Sequence, residues 1–237
     1  MQSKAEKHLN ALRFYLLERP TRKGLLDFKT SQYENQEFPC LDHAMNKQIT
    51  TVYLEMRQRR QLRRGLLSSG GDVRVIKSRE PSPTLNQYFF RTVGLPWQWF
   101  SRLEWTHEDW KAYVENPDLH TYIGYLNGTP FGYYELQRRP KENSVEIVFF
   151  GLLDEFTGRG LGGYLLTRAT THAWELECSR VCLHTCTLDH PNALTNYESR
   201  GFVEYKRETK VEEIPNKNDP AWLTPDFMES YRRFTRK

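Results

Sequence analysis

The chain predicts a mixed α/β fold built on a sheet with both kinds of strand pairing. Two observations carry this. Three runs rich in β-branched and aromatic residues, 120–126, 131–138 and 145–153, follow one another through short polar connections, as in an antiparallel meander. The third run then passes through a stretch of helical spacing into another strand-like run at 180–188, the pattern of a βαβ crossover.

Taken in order, residues 3–18 predict a short amphipathic helix with Leu9, Leu12, Leu16 and Leu17 on one side, and residues 19–45 an irregular segment. ITTVYLEM (49–56) predicts a strand, LSSGGD (67–72) a turn and VRVIK (73–77) a second strand. EPSPT breaks the chain before a helix over Leu85–Val93. Thr106, followed by Glu108 and Asp109, predicts a helix start with an acidic first turn, and Asn116-Pro117 ends it. In the meander, Asn127-Gly128 is a strong hairpin signal, and RPKENS makes the second connection. Leu161, Leu165, Ala169, His172 and Leu176 fall on one helical stripe. After the strand at 180–188, Pro191 opens a helix that ends near Gly201, and FVEYKRETKVEEI is the last strand. The chain thus divides into an N-terminal extension, partly helical, at 1–45, a folded domain at 46–214 and a C-terminal tail at 215–237.

With 237 residues, the chain suits one medium domain with extensions, or two small ones. No apolar run approaches the roughly 18 residues a membrane helix needs, and the first twenty residues lack the apolar core and cleavage site of a signal peptide. The expectation is a soluble, cytoplasmic protein with no membrane partner. The net charge is +4, with 16 Lys/Arg against 9 Asp/Glu in residues 1–80 and 18 against 21 in the rest. The densest basic stretch is Arg57, Arg59, Arg60, Arg63 and Arg64, either a solvated face or a site for nucleic acid or another anion. Four cysteines, Cys40, Cys178, Cys182 and Cys186, are too few for a secreted disulfide scaffold. Cys182, His184 and Cys186 share one face of a strand, but successive same-face side chains lie about 7 Å apart. They are too far apart to meet one zinc ion at about 2.3 Å. No metal is expected, and the thiols read as reduced and partly buried.

The segment EFTGRGLGGYLL (155–166) places glycines at 158, 160, 162 and 163, just where a helix begins. Gly158, Gly160 and Gly163 match the dinucleotide fingerprint G-x-G-x-x-G, but the context is wrong. The fingerprint belongs after the first strand of a βαβ unit, with an acid ending the next strand about 20 residues on. Position 178 is a cysteine, and Asp189 comes too late. A Walker loop fails because no Gly-Lys-Ser/Thr follows. What remains is a loop whose backbone N–H groups converge before a helix N-terminus, a ready site for a pyrophosphate, or else a glycine-rich loop with no ligand.

Thr157-Gly158-Arg159-Gly160-Leu161-Gly162 resembles motif A of the GNAT superfamily, the coenzyme A-dependent N-acyltransferases, whose signature is Gln/Arg-x-x-Gly-x-Gly/Ala. The preceding VEIVFFGLLDEF fits as well, and His190-x-x-Ala193-x-x-x-Tyr197-x-x-x-Gly201-Phe202 resembles the family's later helix and strand. The resemblance spans roughly 49–214. It implies a mixed, mostly antiparallel sheet flanked by helices, and an enzyme that moves an acetyl group from acetyl-coenzyme A to a primary amine by direct attack. It implies Glu146 as the general base, through water, and Tyr197 as the acid that protonates the leaving thiolate. The pyrophosphate falls to Thr157, Gly158, Arg159, Gly160, Leu161, Gly162 and Gly163. The thioester carbonyl and pantetheine arm fall to backbone near Phe150, Gly151 and Leu152, with His190 and Asn192 also at the cofactor. Thr157 stands where the family has Gln or Arg, though its hydroxyl is placed to cap the helix, and His190 stands where the family has Asn.

Read from the residues alone, Glu146 is also compatible with a strand carboxylate paired to a cation, and Tyr197 with a helix-packing tyrosine. Trp97, Trp99, Trp105, Trp110 and Tyr113 crowd the region that in this fold borders the acceptor cleft. They form either a wall for a cationic or flat acceptor or simple packing, with His107 and Glu108 as polar candidates. A small-molecule amine is expected over a protein. The competing function is a nucleic-acid or protein-binding module with a basic N-terminal region and a degenerate or regulatory GNAT fold. A third reading gives residues 1–45 a part in homodimer formation.

Overall fold

The computed structural model describes residues 45–67 and 70–214. The helix expected at 3–18, Cys40, the assignment of residues 1–44 to an extension, the tail at 215–237 and part of the turn at 67–72 lie outside the described residues.

Seven strands form one sheet: β1 (Met45–Met56), β2 (Val73–Lys77), β3 (Leu119–Leu126), β4 (Thr129–Arg139), β5 (Ser144–Leu152), β6 (Arg180–Cys186) and β7 (Val203–Ile214). The helices are α1 (Pro83–Gly94), α2 (His107–Val114), α3 (Leu161–Trp174) and α4 (Ala193–Ser199). The spatial order is β2-β3-β4-β5-β6-β1-β7. Every pair is antiparallel except β5 and β6, so the predicted mixed, mostly antiparallel sheet flanked by helices is the fold. The meander is β3-β4-β5, and the crossover is β5-α3-β6.

Local chemistry explains the elements. Asn127 and Gly128 both take positive φ, 51° and 83°, as a tight hairpin turn demands. Ser82 caps α1 ahead of Pro83, its hydroxyl accepting from Leu85 N. Thr106 and Asp109 form a reciprocal capping box at α2, where Thr106 Oγ1 accepts from Asp109 N and Asp109 Oδ2 accepts from Thr106 N.

Some boundaries differ from expectation. β1 begins at Met45 rather than Ile49, because polar Asn46, Lys47 and Gln48 pair with β7 although they carry no strand propensity. α3 stops at Trp174, so Leu176 lies past its end. β6 stops at Cys186, where Asp189 Oδ2 accepts from Cys186 N and Thr185 Oγ1 and turns the chain. Pro191 precedes α4 rather than starting it; Asn192 is the cap position.

The core lies on both faces of β4, where Phe131 through Gln137 are all buried. Successive residues of a strand point to opposite faces. Tyr133 stacks on Phe89 of α1 at 4.9 Å, whereas Tyr134 bonds His172 of α3 at 2.6 Å. α1 and α3 therefore cover opposite faces. Leu161, Leu165, Leu166, Ala169 and Ala173 of α3 are fully buried, and burying each larger aliphatic side chain contributes roughly 1.5–3 kcal/mol.

Candidate active site

β5 and β6 pair only from Ser144, Val145 and Glu146 to Arg180, Val181 and Cys182. Beyond Glu146 and Cys182 the strands part. A cavity of about 610 Å³ opens there, within the range that holds small ligands. Ile147–Leu152 line it from β5, and Leu183, His184 and Cys186 line it from β6. On its β6 side this stretch of β5 has no strand partner, so alternate backbone N–H and C=O groups face the gap.

At one end lies the glycine loop. Gly158 and Gly160 take φ of 80° and 75°, which glycine adopts without penalty. Gly160 is the cap position of α3 and carries no side-chain cap bond. Thr157 does not cap that helix: it ends the preceding turn, its N–H donating to Asp154 O at 3.0 Å. The first N–H groups of α3 have no partner within the helix, and the helix dipole places positive charge beside them.

Of the residues assigned to the cofactor from sequence, Phe150, Gly151, Leu152, Thr157, Gly158, Gly160, Gly162, Gly163, His190 and Asn192 line the cavity. The side chains of the other two go elsewhere. Leu161 is fully buried in the core, and the Arg159 guanidinium sits 4.9 Å over the Phe156 ring. Tyr197 lines the cavity from α4, with Phe150 and Phe202 against its ring. Burial, with Asp189 nearby, pushes its phenol above the ordinary value.

Glu146 sits at the base of the fork and is not among the lining residues. Its Oε2 accepts from Arg139 Nη2 at 2.6 Å, and its Oε1 lies 3.5 Å from His184 Nδ1. His184 and Arg139 hold this carboxyl down at about 2, against burial that raises it. His184 does line the cavity, its side chain 47% exposed, and Glu146 raises its imidazole above the ordinary value. Sequence reasoning weighed His184 only as a metal ligand. Its signal was position, two residues beyond the strand partner of Glu146.

The aromatic group divides in two. Trp97 and Trp99 line the cavity. Trp105, Trp110 and Tyr113 instead surround this chain's own Arg102, whose Cζ lies 4.4, 5.6 and 3.7 Å from their ring centres and 4.4 Å from that of Phe149. Arg102 Nη1 is 3.7 Å from Oε2 of the fully buried Glu135, which also accepts from Tyr113 Oη and Asn86 Nδ2. Even so, burial raises the Glu135 carboxyl above its ordinary value. Of the two readings of this group, acceptor wall or packing, Trp105, Trp110 and Tyr113 follow the second, packed around the chain's own cation. His107 and Glu108 are exposed on α2, outside the cavity lining. The lining does include the carboxylates of Asp189 and Glu212 and, among the described residues, no lysine or arginine.

The arginine-rich stretch connects β1 to β2. Arg57 pairs with Glu55 at 2.6 Å, and the connection is fastened by Arg63 N to Arg200 O and Gly65 N to Thr167 Oγ1. Among the described residues no cluster of His, Cys, Asp and Glu is arranged to hold a metal, and no helix is long and apolar enough to cross a membrane.

Fold and cleft together define a mixed α/β domain whose sheet splits between β5 and β6, with a glycine loop opening a helix at the cavity. A sequence model of the acetyltransferase (GNAT) family matches residues 84–202, and the chain belongs to that family. Among solved structures, it is similar to a GCN5-related N-acetyltransferase from Sphaerobacter thermophilus, at 14% identity and a TM-score of 0.53, covering 73% of this chain and 55% of that one. A GCN5-related N-acetyltransferase from Kribbella flavida aligns at 14% identity and a TM-score of 0.50, covering 73% and 61%. A functionally unknown conserved protein from Staphylococcus epidermidis aligns at 17% identity and a TM-score of 0.48, covering 72% and 64%. The chain thus spans less than two thirds of the length of each of these structures. No curated protein matches it.

Proposed function

We propose that residues 46–214 form an N-acetyltransferase domain that moves the acetyl group of acetyl-coenzyme A to the primary amine of a small molecule. The observation that carries this is shared geometry: the glycine loop, the unpaired edge of β5 and Tyr197 all line one cavity. The N–H groups of residues 157–163 suit the pyrophosphate of coenzyme A. They do so through backbone, which is why Arg159 and Leu161 can send their side chains elsewhere. The free edge at Phe150–Leu152 suits the amides of the pantetheine arm, added as an extra strand would be. His190 and Asn192 border the same ligand.

The reaction sets two proton problems. The amine must lose a proton before it attacks, since a lysine-like ammonium has an ordinary pKa near 10.4. The departing sulfur needs one, which Tyr197 supplies from a phenol kept protonated by burial. Glu146 acts on the base side through an intermediary, because its carboxylate stands behind the cavity wall rather than in it. Asp189, Glu212, Trp97 and Trp99 favour a cationic acceptor over an anionic one. We place the protein in the cytoplasm; Cys178, Cys182 and Cys186 are free thiols, as a reducing compartment would leave them.

The test is thiol release from acetyl-coenzyme A against amines, polyamines, amino acids and peptides, with thermal protection by acetyl-coenzyme A as a separate measure of binding. Protection with thiol release supports the reading. Absence of both effects at millimolar ligand would overturn it.

A further inference from the structure

Where β5 and β6 part, the last paired residues are Glu146 and Cys182, and the next side chain on the same face of β6 is His184. The fork therefore sets His184 between the Glu146 carboxylate and the open cavity. Its Nδ1 lies 3.5 Å from Glu146 Oε1. With the Nδ1 proton directed at that carboxylate, Nε2 carries the ring's lone pair. From β1, Tyr53 packs against the ring at 5.8 Å, and Lys206 Nζ of β7 lies 5.0 Å from the centre of the Tyr53 ring. Cys182 and Cys186 flank His184 along β6, and Asp189 stands in the turn beyond. Glu55, the remaining acid on the neighbouring stretch of β1, is committed to Arg57 and Arg180. Glu146 itself is held on its far side by Arg139. His190, the other imidazole in the cavity, uses Nδ1 to accept from Asn192 N.

We propose that His184 is the group that takes the proton from the acceptor amine, and that Glu146 is a positioning residue that fixes the His184 tautomer and steadies its charged form. The inference rests on the acyl-transfer reading and names its intermediary. The ammonium gives one proton to His184 Nε2. The freed nitrogen lone pair attacks the thioester carbon, so the N–C bond forms and the C–S bond breaks. Sulfur leaves with the Tyr197 proton, and the surplus proton on nitrogen returns to the tyrosinate. The proton on His184 passes to water, so one proton is released per turnover.

The experiment compares wild type, His184→Gln, Glu146→Gln and the double variant by thiol release across pH, with acetyl-coenzyme A binding measured by calorimetry. His184→Gln is expected to lower kcat by about 100-fold near neutral pH, leaving the dissociation constant within about threefold. Glu146→Gln is expected to lower kcat less and to move the acidic limb of the rate profile to lower pH, because the carboxylate that raises the imidazole is gone. The double variant should be no slower than His184→Gln alone. If His184→Gln keeps the wild-type kcat and profile, the inference is overturned while acyl transfer stands. If His184→Gln does not fold, Glu146→Gln decides, and an unmoved acidic limb overturns the inference. Wild type that releases no thiol with any amine overturns the acyl-transfer reading, and this inference with it.

Discussion

The indole N–H of Trp99 donates to Oδ1 of Asp189 at 3.2 Å, tying the segment after α1 to the turn after β6. Both residues line the cavity, so this bond fixes the spacing of two of its walls. Trp99→Phe keeps a six-membered ring facing Phe90 and Phe149 and removes the donor together with the rest of the indole. Asp189 retains Thr185 Oγ1 and Cys186 N as donors. The lost hydrogen bond and the lost packing together are expected to cost about 2–3 kcal/mol, read from urea unfolding, with a severalfold rise in KM for the acceptor and little change for acetyl-coenzyme A.

Tyr197→Phe removes one oxygen and keeps the ring that packs on Phe150 and Phe202. Thiol release should slow by about 10–100-fold with coenzyme A affinity unchanged. Wild-type turnover in this variant would remove Tyr197 from the acid role.

The Glu146–His184 pair gives stability a characteristic pH dependence. The Glu146 carboxyl is lowered from 4.5 to about 2 on folding, so its contribution is complete above 4.5 and lost as pH falls through about 2. His184 is raised above 6.5, so its contribution is complete below 6.5 and lost as pH rises through the folded value. The two shifts overlap in the Glu146–His184 contact, while Arg139 holds Glu146 as well, and the combined effect is strongest between those limits. Wild type should exceed Glu146→Gln by on the order of 3 kcal/mol near pH 5.5, and the gap should close towards pH 2. A gap constant with pH in denaturant titrations would refute the pairing.

Gly160→Ala forces a Cβ into a φ of 75°. The cost is roughly 1–2 kcal/mol. Because this residue opens the helix at the glycine-loop end of the cavity, where the proposed function places the pyrophosphate, acetyl-coenzyme A affinity should fall together with the melting temperature.

Arg102→Met leaves Glu135 fully buried without its cation. A destabilisation of about 3–5 kcal/mol is expected. Adding Glu135→Gln should recover part of it, since the orphaned charge is then gone. Equal instability of the single and double variants in equilibrium unfolding would count against the ion pair.

What was legible in the sequence was local. Asn127-Gly128, the helix start at Thr106 and the α3 stripe from Leu161 to His172 each act over a few residues, and each formed as expected, Leu176 alone falling past the helix end. The glycine loop was legible for the same reason. The rest depends on contacts between distant segments. That β5 and β6 stay paired for only three residues is a property of the whole sheet, and it decides that His184 reaches the cavity while Glu146 does not. Whether Trp105, Trp110 and Tyr113 form an acceptor wall or simple packing stayed open in the sequence because nothing in their spacing reveals that Arg102 folds back among them. Asn46, Lys47 and Gln48 carry no strand signal because their extended form is imposed by β7 across the sheet.

The insertion of β1 between β6 and β7 has a temporal consequence. Thr50 and Thr209 share a hydrogen bond at 2.8 Å although 159 positions separate them. A ribosome completes the meander, the crossover and β6 before Val203–Ile214 is made. Throughout that interval β1 can seat only against β6, and its other edge stays open to any extended chain nearby. The sheet is completed when β7 arrives, through a loop whose ends are among the most widely spaced of the described residues, and such closures are slow. Refolding from denaturant should therefore be rate-limited by the β1–β7 ladder, and the nascent chain is most exposed to misassembly in the short span before its last described strand is made.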